Sequence, residues 1–301
     1  MPPVLVASNL TKVIGKRTIV DGVSFTLNPG EVFGFLGPNG AGKTTTIRML
    51  VGLITPTEGN VTICGFDVRR DFEKAMRNVG CIVENPDLYR FMTGRENLEH
   101  FARMLSVPSS EIERVGELVQ LSHRLQHRVG TYSLGMRQRL GIAQALLGSP
   151  RLLILDEPAN GLDPAGIREI RELLRSLARD RDMSVFVSSH LLGEVELMCD
   201  RVAIIHKGQL LREGAVSELI SGQREMEFRV GDVARASQIV QAKGLPFRSD
   251  TDRIWISIEE ADAPPLVAAL AAEGIAVFHA QRHVQSLEEM FLQATGGETV
   301  G

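Results

Sequence analysis

The nine residues Gly37-Pro38-Asn39-Gly40-Ala41-Gly42-Lys43-Thr44-Thr45 restrict what this chain can fold into more than any other stretch. They fit the phosphate-loop pattern G-x-x-x-x-G-K-[ST], running from Gly37 to Thr44. The apolar segment Val32-Phe33-Gly34-Phe35-Leu36 leads in, and the helix-like run Thr45-Thr46-Ile47-Arg48-Met49-Leu50 leads out. Strand, glycine loop and helix are the context this pattern needs. The glycines let successive backbone N–H groups turn inward around phosphate oxygens. The adjoining helix adds unpaired N–H groups and the positive end of its dipole. Lys43 can reach the β- and γ-phosphates, and the Thr44 hydroxyl can ligate Mg²⁺. The loop therefore implies a nucleoside triphosphate and leaves its use open.

The rest of the chain narrows that use. It has 301 residues, enough for one large domain or two modest ones, with 44% hydrophobic and 23% charged residues. No apolar run approaches the ~18 residues that cross a bilayer. The start, Met1-Pro2-Pro3-Val4, lacks the basic and apolar regions of a secretory signal. Cys64, Cys81 and Cys199 are scattered, with no C-x-x-C, and read as buried small hydrophobes in a reducing compartment. Residues 222–301 hold 7 Lys+Arg against 12 Asp+Glu. That acidic balance argues against nucleic acid or an anionic lipid surface as a partner.

Residues 4–8 and 19–27 alternate apolar and polar and read as strands joined at Gly15-Lys16-Arg17. A strand over 32–36 delivers the phosphate loop. Residues 60–64 and 79–83 read as further strands, and Asp67 to Met76 as a short helix. From about 85 to 150 the character changes, because Glu96 to Met104, Ser109 to Leu121 and Leu134 to Leu147 carry helical periodicity. Leu152-Leu153-Ile154-Leu155 is a continuous aliphatic run that suits a parallel strand buried on both faces. A helix over Ala165 to Ala178, strands at 184–188 and 201–206, and a turn at Lys207-Gly208-Gln209 complete the first domain, which ends near Ser221-Gly222-Gln223. The Arg168, Arg171, Arg175, Arg179 row reads as a solvated helix stripe. Residues 222–301 read as a small α+β module with near-repeated β-α-β halves. The expected class is α/β: a phosphate-loop NTPase core over 1–221, with an antiparallel β subdomain and a helical insert, then the accessory module.

Two acids stand at the end of the aliphatic run. Asp156 can hold Mg²⁺ beside Thr44. Glu157 can polarise an attacking water as general base. His190 comes after the strand Val185-Phe186-Val187-Ser188 and can hydrogen-bond a γ-phosphate or orient that water.

The segment Tyr132-Ser133-Leu134-Gly135-Met136 lies before a helix and upstream of Asp156-Glu157. Here the chain resembles the ATP-binding subunit of an ABC (ATP-binding cassette) transporter, whose signature reads L-S-G-G-Q. Ser133 and Gly135 match, whereas Tyr132, Leu134 and Met136 depart. A serine hydroxyl and a glycine N–H at a helix N-terminus make an anion site. The resemblance implies that this site holds the γ-phosphate bound by a second copy. It also matches Asn160-Gly161-Leu162-Asp163 to the family's D-loop, His190 to its switch histidine, and Glu84 to its Q-loop glutamine. It covers about residues 4–220. Glu84, the run from Asn160 to Glu169, and Ser286-Leu287-Glu288-Glu289-Met290-Phe291-Leu292 are similar to bacitracin- and lantibiotic-resistance ATPases of the ABC-2 type.

The resemblance implies an exporter's ATPase subunit that uses ATP and Mg²⁺, sits on the cytoplasmic face of the membrane, and works as a head-to-tail homodimer. Lys43, Glu157 and His190 are its expected catalytic residues and Thr44 and Asp156 its metal ligands. Gly37 to Thr45, Glu84, Ser133, Gly135 and Asp163 line the nucleotide. Segment 84–105, with Leu88, Tyr89, Phe91, Met92, Leu98 and Phe101, would take a separate ABC-2 type permease. The alternative is a soluble ABC ATPase acting on the ribosome or DNA; members of that sort usually carry two cassettes or a long coiled-coil insert, and neither is present here. The family's adenine-stacking aromatic aligns with Ile14, and Val13 offers no ring either. Replacing Ile14→Tyr is expected to strengthen ATP binding by about 1–3 kcal/mol, the worth of a base–aromatic stack. Comparing ATP and GTP affinities of the two proteins measures this, and no gain for ATP contradicts it.

Overall fold

The computed structural model describes residues 2–181, 183–221, 225–283 and 286–294. Residues 222 and 223 of the expected boundary lie outside them. Contacts divide the chain into two units, one formed by 1–216 with 291–301 and the other by 217–290. The division falls five residues before the boundary expected at 221/222, and residues from Phe291 onward group with the first unit.

The first unit begins with strands β1 (Leu5–Ile14), β2 (Arg17–Leu27) and β3 (Val32–Leu36), then helix α1 (Lys43–Leu50). β4 (Glu58–Ile63), β5 (Phe66–Asp67), α2 (Phe72–Met76) and β6 (Val79–Ile82) come next. Three helices then intervene before the next strand: α3 (Gly94–Leu105), α4 (Ser110–Leu118) and α5 (Leu134–Ala145). β7 (Leu152–Asp156), α6 (Pro164–Arg181), β8 (Ser184–Ser189), α7 (Leu192–Met198), β9 (Arg201–His206), β10 (Gln209–Ala215) and α8 (Val216–Ser221) complete the series.

These strands form two sheets. An antiparallel sheet has the order β2-β1-β4-β5, and a six-stranded sheet has the order β10-β9-β3-β8-β7-β6. In the second, β3 pairs parallel with β8 and β9, and β7 pairs parallel with β6 and β8. Every residue of β3, β7 and β8 is buried, as continuous apolar runs require when helices cover both faces. Phe25 of β2 stacks on Phe33 at 5.5 Å and on Phe186 at 5.7 Å, and so ties the antiparallel sheet to the central strands. That apolar floor carries the phosphate loop. No helix among the described residues is long and apolar enough to cross a membrane.

The structure corrects several sequence expectations. β1 runs on to Ile14 because bulges, not turns, break its alternation; Asn9 takes φ +49 and the register shifts between Ala7 and Leu10. The helix expected over Asp67 to Met76 shrinks to α2. Asp67 instead pairs in β5, and its Oδ1 accepts the N–H groups of Arg69 and Arg70. α4 stops at Leu118, since Gln120 adopts φ +56 and Leu121 N–H returns to Gly116 O. Of the three cysteines only Cys199 is buried, and Cys81 on β6 is exposed. The arginine stripe of α6 is partly engaged: Arg171 meets Glu194, and Arg175 donates to Leu197 O.

The second unit contains β11 (Glu225–Val230), α9 (Val233–Ala242), β12 (Phe247–Ser249), β13 (Arg253–Ser257), α10 (Ala263–Ala272) and β14 (Val277–His283). Its sheet order is β12-β13-β11-β14, antiparallel throughout, so the two β-α-β halves interleave as a ferredoxin-like sandwich. Met226, Phe228, Ile254, Ile256, Leu266 and Leu270 are its buried core. Helix α11 (Leu287–Ala294) straddles the division between the units.

Candidate functional site

The phosphate loop joins β3 to α1. Gly37 N–H bonds Ser189 O at 3.3 Å, and Gly208 N–H bonds Ala41 O at 3.0 Å, so the ends of β8 and β9 hold the loop in place. Gly37 has to be glycine, because a Cβ there would lie 2.2 Å from Ile205 O. Gly42, with φ +107, turns the chain into α1. No side chain among the described residues caps α1. Its first-turn N–H groups are therefore left for an anion.

Lys43 is buried, at 6% exposure. Its ammonium folds back on the loop, donating to Gly37 O at 2.7 Å and to Pro38 O at 3.3 Å. Nζ also lies 3.0 Å from Glu157 Oε1. That last approach is an ion pair beside the two hydrogen bonds to the carbonyls. Glu157 Oε1 is buried and takes no hydrogen bond among the described residues. A buried ammonium beside a carboxylate oxygen that takes no hydrogen bond is an arrangement that a phosphate and its attendant cation or water can engage.

The two acids leave β7 at the same edge. Asp156 is buried and Glu157 adopts a left-handed φ of +51. Ser188, from the neighbouring strand β8, donates its hydroxyl to Asp156 Oδ1 and accepts Glu157 N–H at 3.0 Å. One buried hydroxyl thus fixes both acids. His190 Nδ1 lies 2.7 Å from Glu157 Oε2, which joins the histidine to the same cluster. The structure therefore brings together Lys43, Asp156, Glu157 and His190, with Thr44 and Thr45 half-buried in the first turn of α1.

Glu84 stands apart from that cluster. It lies just beyond β6 with φ +69 and pairs with Arg48 of α1. Ser133 and Gly135 also make no described contact with the phosphate loop. Ser133 caps α5 by accepting Met136 N–H at 3.2 Å and is exposed. Gly135 sits in the first turn, its nearest neighbour for an added Cβ being Leu162 at 3.8 Å. The Tyr132 departure has a structural use. Its ring is buried and its hydroxyl donates to Arg124 O at 2.6 Å, pinning the loop before α5 to the helical segment. Burial raises the Tyr132 phenol above its usual pKa, with Arg124 pulling the other way. Asp163 is exposed, and its Oδ1 accepts Gly166 N–H at 3.0 Å, a helix cap for α6.

Sequence reasoning missed Ser188, Arg48 and the direct Glu157–His190 bond. Ser188 carried one readable signal, a hydroxyl at the end of an otherwise apolar strand run. In segment 84–105, Leu98 is buried and Leu88, Met92 and Phe101 are half-buried. Tyr89, Phe91, Met104 and Leu105 are exposed, with Tyr89 packed on Phe91 at 5.9 Å and on His100 at 5.5 Å.

Known proteins share this layout. The family model for the ABC transporter matches residues 20–160. Over 298 residues the chain is 49% identical to the uncharacterised ABC transporter ATP-binding protein YhcH of Bacillus subtilis (strain 168), covering 98% of this chain and 97% of that one. It is 40% identical to the bacitracin transport ATP-binding protein BcrA of Bacillus licheniformis over 100% of both chains. The solved structure of an ATP-binding subunit of an ABC transporter superposes at TM-score 0.65 and 30% identity, covering 73% of this chain and 92% of that chain. With a phosphate loop, paired acids and histidine assembled as described, and with full-length relatives of this kind, the chain belongs to the ABC transporter family as an ATP-binding subunit that hydrolyses ATP.

Proposed function

We propose that the chain powers an exporter of the ABC-2 class, with a drug, antibiotic or lipid-like cargo. The observation that carries this reading is the end-to-end match to a bacitracin transport ATP-binding protein, which extends through the second unit. A lantibiotic transport ATP-binding protein, SrtF of Streptococcus pyogenes, is 42% identical over 205 residues, 68% of this chain and 88% of that one. Nothing in the site favours a ribosome- or DNA-directed ATPase.

In this reading Gly37 to Thr45 cradle the phosphates and Lys43 moves from Glu157 to the incoming triphosphate. Thr44 and Asp156 would hold Mg²⁺, since a hydroxyl and a carboxylate are oxygen ligands of the kind that ion takes. An ion held there would supply charge neutralisation and Lewis-acid polarisation at the terminal phosphoryl group. Once Lys43 is drawn to phosphate, Glu157 is free to accept a proton from the attacking water, and His190 keeps its carboxylate oriented.

Two copies face each other with C₂ symmetry. Ser133 and Gly135 of each complete the site of the other, which agrees with the exposure of Ser133 and the half-exposure of Gly135. Asp163, at the head of α6, shapes the D-loop at that junction. A separate permease takes the exposed surface of segment 84–105, where Tyr89, Phe91, Met104 and Leu105 offer apolar area. Such a subunit sits on the cytoplasmic face of the membrane. The second unit serves as an accessory module that supports the dimer.

Glu157→Gln should accumulate as an ATP-bound dimer with little turnover, read by light scattering with and without ATP. Hydrolysis near the wild-type rate would remove Glu157 from the role of base. Ser188→Ala should lower unfolding stability by about 1–3 kcal/mol, because it strips a partner from a buried carboxylate and from an N–H. Denaturant unfolding measures this, and an unchanged midpoint contradicts it.

A further inference from the structure

Helix α1 carries a cation near each end, and each reaches a glutamate at the edge of the central sheet. Lys43, at its start, contacts Glu157. Arg48, in its last turn, pairs through Nη2 with Glu84 Oε1. The two glutamates follow neighbouring parallel strands. β6 and β7 run parallel with Ile82 beside Leu155, so residues 84 and 157 stand the same two steps beyond that pair. Both turn off with left-handed φ, +69 and +51. Adjacent strands lie about 4.8 Å apart, so both acids follow the same end of neighbouring strands.

Their surroundings differ. Glu157 is 21% exposed and bonded to His190, whereas Glu84 is 59% exposed with Arg48 as its charged partner. Arg48 lies five residues after Lys43, about 7.5 Å along the helix axis. The pairing therefore draws the Glu84 carboxylate along α1, away from the phosphate loop. A carboxylate free to approach a triphosphate is repelled in the absence of a divalent cation and attracted in its presence. Whatever holds Glu84 decides how much of either effect the nucleotide feels.

We propose that Arg48 is a positioning residue that parks the Glu84 carboxylate on α1 and thereby limits the dependence of ATP binding on Mg²⁺. The inference rests on the phosphate loop being the ATP site. The pair is solvent-exposed, at 43% and 59%. Such pairs contribute little, which suits a contact that must open and close. Removing Arg48 releases the carboxylate towards the phosphates. Mg²⁺-free nucleotide then binds more weakly, and the Mg²⁺ complex binds at least as well as before.

The test measures equilibrium binding of a non-hydrolysable ATP analogue to the full chain, with Mg²⁺ and with EDTA. Its readout is the ratio of the two dissociation constants. In Arg48→Gln the Mg²⁺ preference should rise about two- to fivefold, the span that up to about 1 kcal/mol of exposed pairing corresponds to. Arg48→Lys should keep the wild-type ratio. In a Glu84→Gln background, Arg48→Gln should leave the ratio unchanged; a simple loss of positive charge near the nucleotide would still move it. An unchanged ratio in Arg48→Gln, or the same rise with Glu84 already replaced, overturns the proposal. Failure of the wild type to bind the analogue, or full binding by Lys43→Ala, would instead overturn the ATP-site reading beneath it. Thermal melting of each variant separates these outcomes from misfolding.

Discussion

A buried ammonium holds this site together. Lys43 has little access to water, and an unpaired charge in that position would be strongly unfavourable. Two loop carbonyls and Glu157 satisfy it instead. That single requirement folds the phosphate loop over the sheet edge, draws in the glutamate at the end of β7, and through Glu157 engages His190. The arrangement is closed on itself and still incomplete. Among the described residues, Glu157 Oε1 has a charge beside it but no hydrogen bond, and the first turn of α1 has no side-chain cap. In the proposed mechanism a triphosphate supplies what both lack, and in taking Lys43 it frees the glutamate for chemistry.

The parallel sheet makes this economy possible. β3, β7 and β8 are buried along their whole length, so their ends are fixed by packing, and the chemistry is placed at those ends. Ser188 shows how fine the placement is. One hydroxyl on β8 sets the carboxylate of Asp156 and the backbone of Glu157 at once. The acids are thus positioned by a neighbouring strand rather than by their own.

Much of this was legible in the residues. Glycines at fixed offsets, an aliphatic run ending in two acids, and a serine–glycine pair before a helix each have a local physical reason and can be read locally. The parts that were not legible depend on non-local pairing. β1 extends past Asn9 because bulges keep Leu10 facing the core, which alternation alone misreads. Asp67 leaves the expected helix because its side chain bonds the N–H groups of Arg69 and Arg70. Ser188 and Arg48 gain meaning only when β6, β7, β8 and α1 are laid side by side. Tyr132 looked like a lapse from the signature pattern and serves instead as the anchor of the loop before α5.

In the proposed dimer the site is completed between chains. Ser133 and Gly135 are exposed or half-exposed at the head of α5, where Ser133 caps the helix. Mixing two inactive variants tests most directly whether a second copy completes the site. Lys43→Ala lacks a working loop and Gly135→Asp places a negative charge where the partner's phosphate would sit. Each alone should hydrolyse ATP poorly, and the mixture should recover activity, because heterodimers contain one intact composite site. A mixture no more active than its components, or a Gly135→Asp protein with wild-type turnover, would contradict a site shared between two copies.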